Sequence, residues 1–306
     1  MSQDLEGKVA VITGAGDGLG KLHALKLAQM GASIVVNDLG ASLHGEGQDK
    51  SKADAVVAEI EAAGGKAVTH FGDVADWETG KALIQTAIDT FGGLDILINN
   101  AGILRDATIF NMSESDFDSV VRVHLKGHFV PSKFACIHWR EKSKAEGKPV
   151  HGRLVATSSE AGLIGAPGQP NYAAAKAGII SLTLGIAQLM LKYGVTANVI
   201  LPRARTRMTM DGPTAQFFEK PEAGFDTFGP ENVLPLFAYL CSPQSERISG
   251  YVFIAYGQEV RLIRRPTVQE TFTTDGVWSV EELHEKMAPT FEKLEPVKDG
   301  FSFPPG

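Results

Sequence analysis

Tyr172 and Lys176 stand four residues apart in the run NYAAAKAG, so on a helix their side chains share one face, a single turn apart. A lysine ammonium beside a phenol favours the phenolate and draws its pKa down from about 10. The pair reads as a general base toward an alcohol and, in reverse, as a general acid toward a carbonyl. Ser158-Ser159 closes a short apolar run just upstream, and the Ser159 hydroxyl could hold the reacting oxygen beside Tyr172. A tyrosine and a lysine at this spacing are most often a solvated surface pair. The serine at a strand end makes the reading specific.

A second constellation lies near the N-terminus, where Thr13-Gly14-Ala15-Gly16-Asp17-Gly18-Leu19-Gly20 joins a β-branched run to a helical pattern. Gly14, Gly18 and Gly20 let backbone approach a pyrophosphate, and amides such as those of Gly18 and Leu19 open the following helix at its positive dipole end. Ordinary turns also collect glycine, so the strand–turn–helix setting carries the argument. Asp38 closes the next strand, VVND, where a carboxylate accepts from ribose hydroxyls and repels a 2′-phosphate. Asp17 adds a second negative charge in the loop, although a solvated turn residue explains Asp17 equally well. NAD is thereby favoured over NADP.

These residues need a scaffold, and the chain supplies one by alternation. Strand-like runs at 8–13, 33–38, 67–71, 94–99, 153–157 and 196–201 are separated by helical patterns at 19–30, 52–63, 77–91, 113–142 and 171–192. A helix near 231–241 and a run at 250–254 would complete seven strands. The expected fold class is α/β, a Rossmann-type doubly wound, mainly parallel seven-stranded sheet with helices on both faces. Such sheets place ligands outside the carboxyl ends of their strands, where the glycine loop, Asp38 and Ser159 all fall. The expected domain spans residues 1–257 and includes a substrate flap at 203–228; residues 258–306 form a C-terminal extension with one helix at 280–294, packed on the same domain or on a neighbouring subunit.

Composition excludes several other classes. A net charge of −7 over 306 residues argues against a nucleic-acid partner. Two cysteines without CxxC spacing and eight histidines without an HExxH pair give no support to a metal site or a disulfide framework. The polar start MSQDLEGK is unlike a secretory signal, and the ending SFPPG is unlike an SKL-type address. The apolar stretch 173–191 is interrupted by Lys176, Ser181, Thr183 and Gln188, as in a buried or interface helix rather than a membrane span. A cytoplasmic location is the expectation.

Together the motifs resemble the short-chain dehydrogenase/reductase family over residues 8 to about 257. Its TGxxxGxG corresponds to Thr13 through Gly20, its NNAG to Asn99-Asn100-Ala101-Gly102, and its catalytic serine, tyrosine and lysine to Ser159, Tyr172 and Lys176. The resemblance implies that Asp73-Val74 contacts the adenine ring, that Asn100, Ala101 and Gly102 pass the riboses, and that Lys176 also binds the nicotinamide ribose. Two positions depart from the family pattern. His124, in Val123-His124-Leu125-Lys126-Gly127, replaces an asparagine that holds a water in the proton relay, and either a relay role or a purely structural one fits it. Pro202-Arg203 stands where Pro-Gly is common, with Thr206 still able to meet the nicotinamide carboxamide.

Both departures, with the VNDLG run and Arg207-Met208-Thr209, are similar to the (3R)-hydroxyacyl-CoA dehydrogenase unit of multifunctional β-oxidation enzymes, also called the 17β-hydroxysteroid dehydrogenase type 4 group. The implied reaction is NAD-dependent oxidation of a (3R)-hydroxyacyl-CoA by a free-standing, bacterial-type enzyme. Arg203, Arg205 and Arg207, or Arg261, Arg264 and Arg265, could pair with CoA phosphates or simply be solvated. Phe217, Phe218, Phe225 and Phe228 could line an apolar pocket or pack on the tail. Rival readings are a dehydrogenase of free steroids or other secondary alcohols, an NADPH-dependent acyl-carrier-protein reductase and a non-catalytic nucleotide-binding protein. The family also implies a homodimer or homotetramer through two long helices.

Overall fold

In the computed structural model, which describes residues 4–211 and 215–294, each buried apolar run becomes a strand because both its faces are covered. β1 (Val9–Thr13), β4 (Ile96–Asn99) and β5 (Gly152–Thr157) are buried at every position. β2 (Ser33–Asp38), β3 (Lys66–Phe71), β6 (Val195–Pro202) and β7 (Val252–Tyr256) complete the parallel part. Successive side chains of a strand face opposite ways, so β1 sends Ala10 and Ile12 to one face and Val9 and Val11 to the other. On the first face, α1 (Gly18–Gln29), α2 (Ser51–Ala62) and α8 (Leu234–Cys241) contribute Leu27, Ile60 and Phe237. On the second, α3 (Trp77–Phe91), α5 (Gly127–Glu146) and α7 (Pro170–Met190) contribute Leu83, Trp139 and Ile179. Among the described residues the other α-helices are α4 (Glu114–Val121), the short α6 (Ala161–Ile164) and α9 (Val280–Phe291).

The strand order is β3-β2-β1-β4-β5-β6-β7-β8. Among the described residues the sheet has eight strands, not the seven expected. The eighth, β8 (Glu259–Leu262), turns back at Gly257 and pairs antiparallel with β7. It is legible only through pairing, since EVRL is short, mostly exposed and half charged. It also carries the sheet beyond residue 257. The order reverses between β1 and β4, which opens a crevice at their carboxyl ends.

The helix expected over 113–142 is three pieces. Ser113 caps α4 by accepting from the Asp116 amide at 3.1 Å, but a π-helical turn over Arg122–Lys126 separates α4 from α5. The wider turn holds His124, which is buried. Periodicity cannot reveal this, because a π turn shifts the hydrophobic phase by one residue. Helix α7 is long and apolar enough by composition to cross a membrane; here Ile179, Ala187 and Met190 lie in the core against β5 and β6. In the tail, Ser279 caps α9 by accepting from the Glu282 amide, and α9 ends at Phe291 rather than at 294. The final SFPPG and residues 212–214 of the flap lie outside the described residues.

Candidate active site

The crevice is lined first by the glycine loop. Thr13 Oγ1 accepts from the amides of Asn100 (2.9 Å) and Ala101 (3.2 Å), and Asn100 Nδ2 donates to the carbonyls of Thr13 and Gly14. These bonds draw the ends of β1 and β4 together so closely that a Cβ on Gly14 would lie 2.8 Å from Ala101 Cα. Gly20 packs against the loop itself, its notional Cβ only 2.1 Å from the Gly14 carbonyl. Gly18 is the opposite case: it has φ +54°, and a Cβ there would meet nothing within 4 Å. Open space above the start of α1 fits a pyrophosphate seated on the first-turn amides.

Asp38 reaches from β2 to this loop, its two carboxylate oxygens accepting from the Gly16 (2.7 Å) and Gly40 (2.6 Å) amides. Asp17 caps α1 by accepting from the Gly18 amide at 2.7 Å. Arg207 Nε lies 3.0 Å from the Asp17 carboxylate, so the negative charge that Asp17 adds to the loop is paired with a cation. Asp73 accepts from the Ala75 amide and pairs with Arg122 at 2.7 Å, while Val74 is buried against Gly127.

The expected catalytic residues sit just past the carboxyl end of β5 and at the start of α7. Asn171, fully buried, anchors the start of α7: its Nδ2 donates to the carbonyls of Arg105 and Asp116, and its Oδ1 accepts from the Tyr172 amide. Tyr172 and Lys176 do share a face, with Lys176 Nζ 5.3 Å from the centre of the Tyr172 ring. Lys176 is buried and donates to the Thr157 carbonyl at 2.8 Å. Ser159 is within hydrogen-bonding reach of Tyr172. The ring of His124 meets the Tyr172 ring edge-on at 5.2 Å.

The electrostatics differ from the sequence expectation. Burial pushes the Tyr172 phenol up to about 12; the hydrogen bond from Ser159 opposes this and the Asp106 carboxylate adds to it. Burial likewise brings Lys176 down to about 7, so its ammonium does not simply hold the phenol low. His124 is held well below its usual range by burial and then by the Lys176 charge, and is therefore neutral. Its Nε2 faces the Ile103 carbonyl at 2.8 Å, its Nδ1 has no hydrogen-bond partner among the described residues, and its ring fills the place a Cβ on Gly102 would take.

The arginines of the flap divide into two kinds. Arg203 forks onto Glu160, Nη2 to Oε1 at 2.6 Å, and its guanidinium lies 4.6 Å from the centre of the Tyr256 ring. Arg205 forks onto Asp226 and also donates to the Phe218 carbonyl. Both are committed internally, which removes them as candidate CoA ligands; Arg207 is the more exposed third. In the other cluster Arg261 pairs with Glu259, Arg265 donates to the Gly250 carbonyl, and Arg264 is exposed. The phenylalanines split too. Phe218 and Phe228 pack together at 4.9 Å, with Phe228 stacked on Tyr256, while Phe217 and Phe225 are 65% and 53% exposed.

The Glu160–Arg203 fork is nearly buried, with side-chain exposures of 9% and 19%. Removing one partner strands the other charge, so Glu160→Gln is expected to lower unfolding stability by about 3 kcal/mol. Denaturant unfolding of both proteins checks this. A loss below about 1 kcal/mol would show that the pair behaves as an ordinary surface bridge.

Comparison with known proteins follows the same lines. The short chain dehydrogenase family pattern matches residues 8–216, and among the motif residues it covers are the glycine loop, Ser159, Tyr172 and Lys176. The chain belongs to that family. As such it is an oxidoreductase acting on CH–OH groups, in a family that typically binds a nicotinamide dinucleotide. It is 47% identical over 298 residues to a hydroxyacyl-CoA dehydrogenase, ChsB1, of Mycobacterium tuberculosis, covering 96% of this chain and 91% of that one. It is 40% identical over 252 residues to the peroxisomal multifunctional enzyme type 2 of Mus musculus, covering 82% of this chain but 32% of that enzyme. The crystal structure of a short chain dehydrogenase from Mycobacterium avium superposes with a TM-score of 0.85 at 43% identity, over 98% of this chain and 99% of that one.

Within that family frame, four features of the site escape motif reading. They are the Glu160–Arg203 fork, the Arg207–Asp17 pair, the Asp106 charge that raises Tyr172, and a second buried histidine, His128, one turn beyond His124. The histidine spacing, HLKGH, was the one available signal. Asp106, raised by burial and bonded to Gln169, lies in a loop without periodicity and gave none.

Proposed function

We propose that this enzyme oxidises a (3R)-hydroxyacyl-CoA to the 3-oxoacyl-CoA with NAD as the hydride acceptor. The observation that carries the reaction type is the grouping of Ser159, Tyr172 and Lys176 across the crevice from the glycine loop. Likeness over nearly the whole chain to a protein named as a hydroxyacyl-CoA dehydrogenase supports the substrate class. The Asp38 carboxylate at the end of β2 supports NAD over NADP, since a 2′-phosphate would meet a negative charge there.

The residues divide the work. Gly14, Gly18, Leu19 and Gly20 seat the pyrophosphate; Asp38 takes the adenosine ribose; Asp73 and Val74 flank the adenine. Asn100, Ala101 and Gly102 line the path of the riboses, and Pro202 and Thr206 border the carboxamide. A bound nicotinamide supplies the hydride-accepting ring. Ser159 holds the C3 oxygen, and Tyr172 removes its proton as C3 gives up hydride. Lys176 binds the nicotinamide ribose and shares the proton that Tyr172 takes, and neutral His124 presents its unpartnered Nδ1 behind them.

In this proposal residues 1–257 together with β8 form the catalytic domain, 203–228 serve as the flap, and the chain beyond β8 is an extension on the same domain or a neighbour. Helices α4 and α5 leave Phe117, Phe129 and Ile137 exposed, a face suited to a homodimer or homotetramer. A cytoplasmic location is part of this proposal. The test is a panel of (3R)- and (3S)-hydroxyacyl-CoAs and free 17β-hydroxysteroids, each with NAD and with NADP, followed by reduced-cofactor absorbance. Selective turnover of (3R)-acyl-CoA with NAD is the expected result. Turnover confined to free steroids would overturn the substrate, and a preference for NADP would overturn the role of Asp38.

A further inference from the structure

Three arginines alternate in the run Arg203-Ala204-Arg205-Thr206-Arg207 as it leaves the sheet. The first two are pinned, one on Glu160 and one on Asp226, and the Arg205 amide donates to the Phe228 carbonyl at 2.7 Å. The next turn is closed by its own side chains: the Thr206 amide donates to Thr209 Oγ1 at 2.8 Å, and the Thr209 amide donates to Thr206 Oγ1 at 3.3 Å. Arg207 therefore projects from a fixed base. Its side chain is 53% exposed, and the group it meets is the carboxylate of Asp17, itself 47% exposed, in the glycine loop.

That contact is informative about distance. Asp17 caps α1 through the Gly18 amide, so the Arg207 guanidinium already stands beside the amides assigned above to the pyrophosphate. A pyrophosphate there would be a dianion with planar oxygen pairs suited to a guanidinium fork, against a single carboxylate that also serves as a helix cap. Solvent-exposed ion pairs are weak, so exchanging Asp17 for a stronger anion costs little. One turn on, the Asp211 carboxylate lies 3.8 Å from His44 in the loop after β2, which ties the same stretch of flap to the other wall of the crevice.

We propose that Arg207 is a cofactor-binding residue, an arm that exchanges Asp17 for the dinucleotide's pyrophosphate and so fastens the start of the flap over the cofactor. Asp17 is then the partner of Arg207 in the free enzyme and its competitor in the bound one. This inference rests on the dinucleotide-binding reading above and adds to it a phosphate ligand that comes from the flap rather than from the glycine loop.

The full-length protein is titrated by calorimetry, without substrate, with NADH, with ADP and with adenosine. Arg207→Ala is expected to weaken NADH and ADP by roughly tenfold and to leave adenosine unchanged; Arg207→Lys should recover part of the loss. Asp17→Asn should bind ADP at least as tightly as the parent. An ADP affinity within twofold of the parent in Arg207→Ala would overturn the proposal. So would an Asp17→Asn protein that loses ADP affinity as Arg207→Ala does, because the pair would then be a structural clasp. A parent protein that binds neither NADH nor ADP would remove the dinucleotide reading itself, a different failure from normal binding that ignores Arg207.

Discussion

Tyr172→Phe is expected to lower kcat by about a thousandfold while leaving NADH affinity within twofold of the parent. The substitution deletes one oxygen from a ring packed edge-on against His124 and beneath the Lys176 side chain, so the fold has little reason to change. What it removes is the atom that exchanges a proton with the substrate oxygen. Ser159 does not replace it, since an uncharged serine hydroxyl is far too weak a base and its part is to hold the oxygen in place. A loss of less than tenfold in single-turnover hydride transfer would mean that another group handles the proton. His124 would then be the first suspect, with its unpartnered Nδ1 close by.

The chemistry was more legible in the sequence than its electrostatics. Glycines at 14, 18 and 20, the YAAAK run and the serine pair are local patterns, and each sits where its pattern placed it because strand and helix geometry fix short spacings. Burial is a property of the whole fold. The same YAAAK run gives a lysine that lowers its neighbour's pKa on an open helix, and a suppressed lysine with a raised phenol under a closed sheet edge. Arg203 and Arg205 show the same limit. Spacing cannot tell a solvated arginine from one forked onto Glu160, 43 positions earlier in the chain. The eighth strand and the π turn were hidden for a related reason. One exists only through its pairing with β7, and the other is a one-residue slip inside a good helical pattern.

Lys176→Met is expected to lower oxidation at neutral pH by about a hundredfold and, more tellingly, to move its pH dependence. With Lys176 Nζ 5.3 Å from the centre of the Tyr172 ring, the expectation counts the protons of the two groups together. Below about 7 the pair holds two protons and the phenol is not available as a base. Between about 7 and about 12 it holds one, and a proton that moves from the phenol to the lysine yields a phenolate beside an ammonium with no further loss to solvent. The rising limb of log kcat/KM for oxidation should therefore lie near 7, set by the lysine, rather than near the value of the tyrosine alone. Methionine keeps the bulk and removes the titrating group, so the limb should shift upward by more than one pH unit and activity should partly recover in alkali. Stability should move the other way. The lysine's folded pKa lies below its unfolded value of about 10.5, so its burial destabilises the fold as pH falls from about 10.5 to about 7, and the cost is constant below that. Lys176→Met should thus melt higher than the parent at neutral pH, with the advantage fading toward pH 10. A variant that keeps the parent's limb near 7 would show that the lysine does not set it.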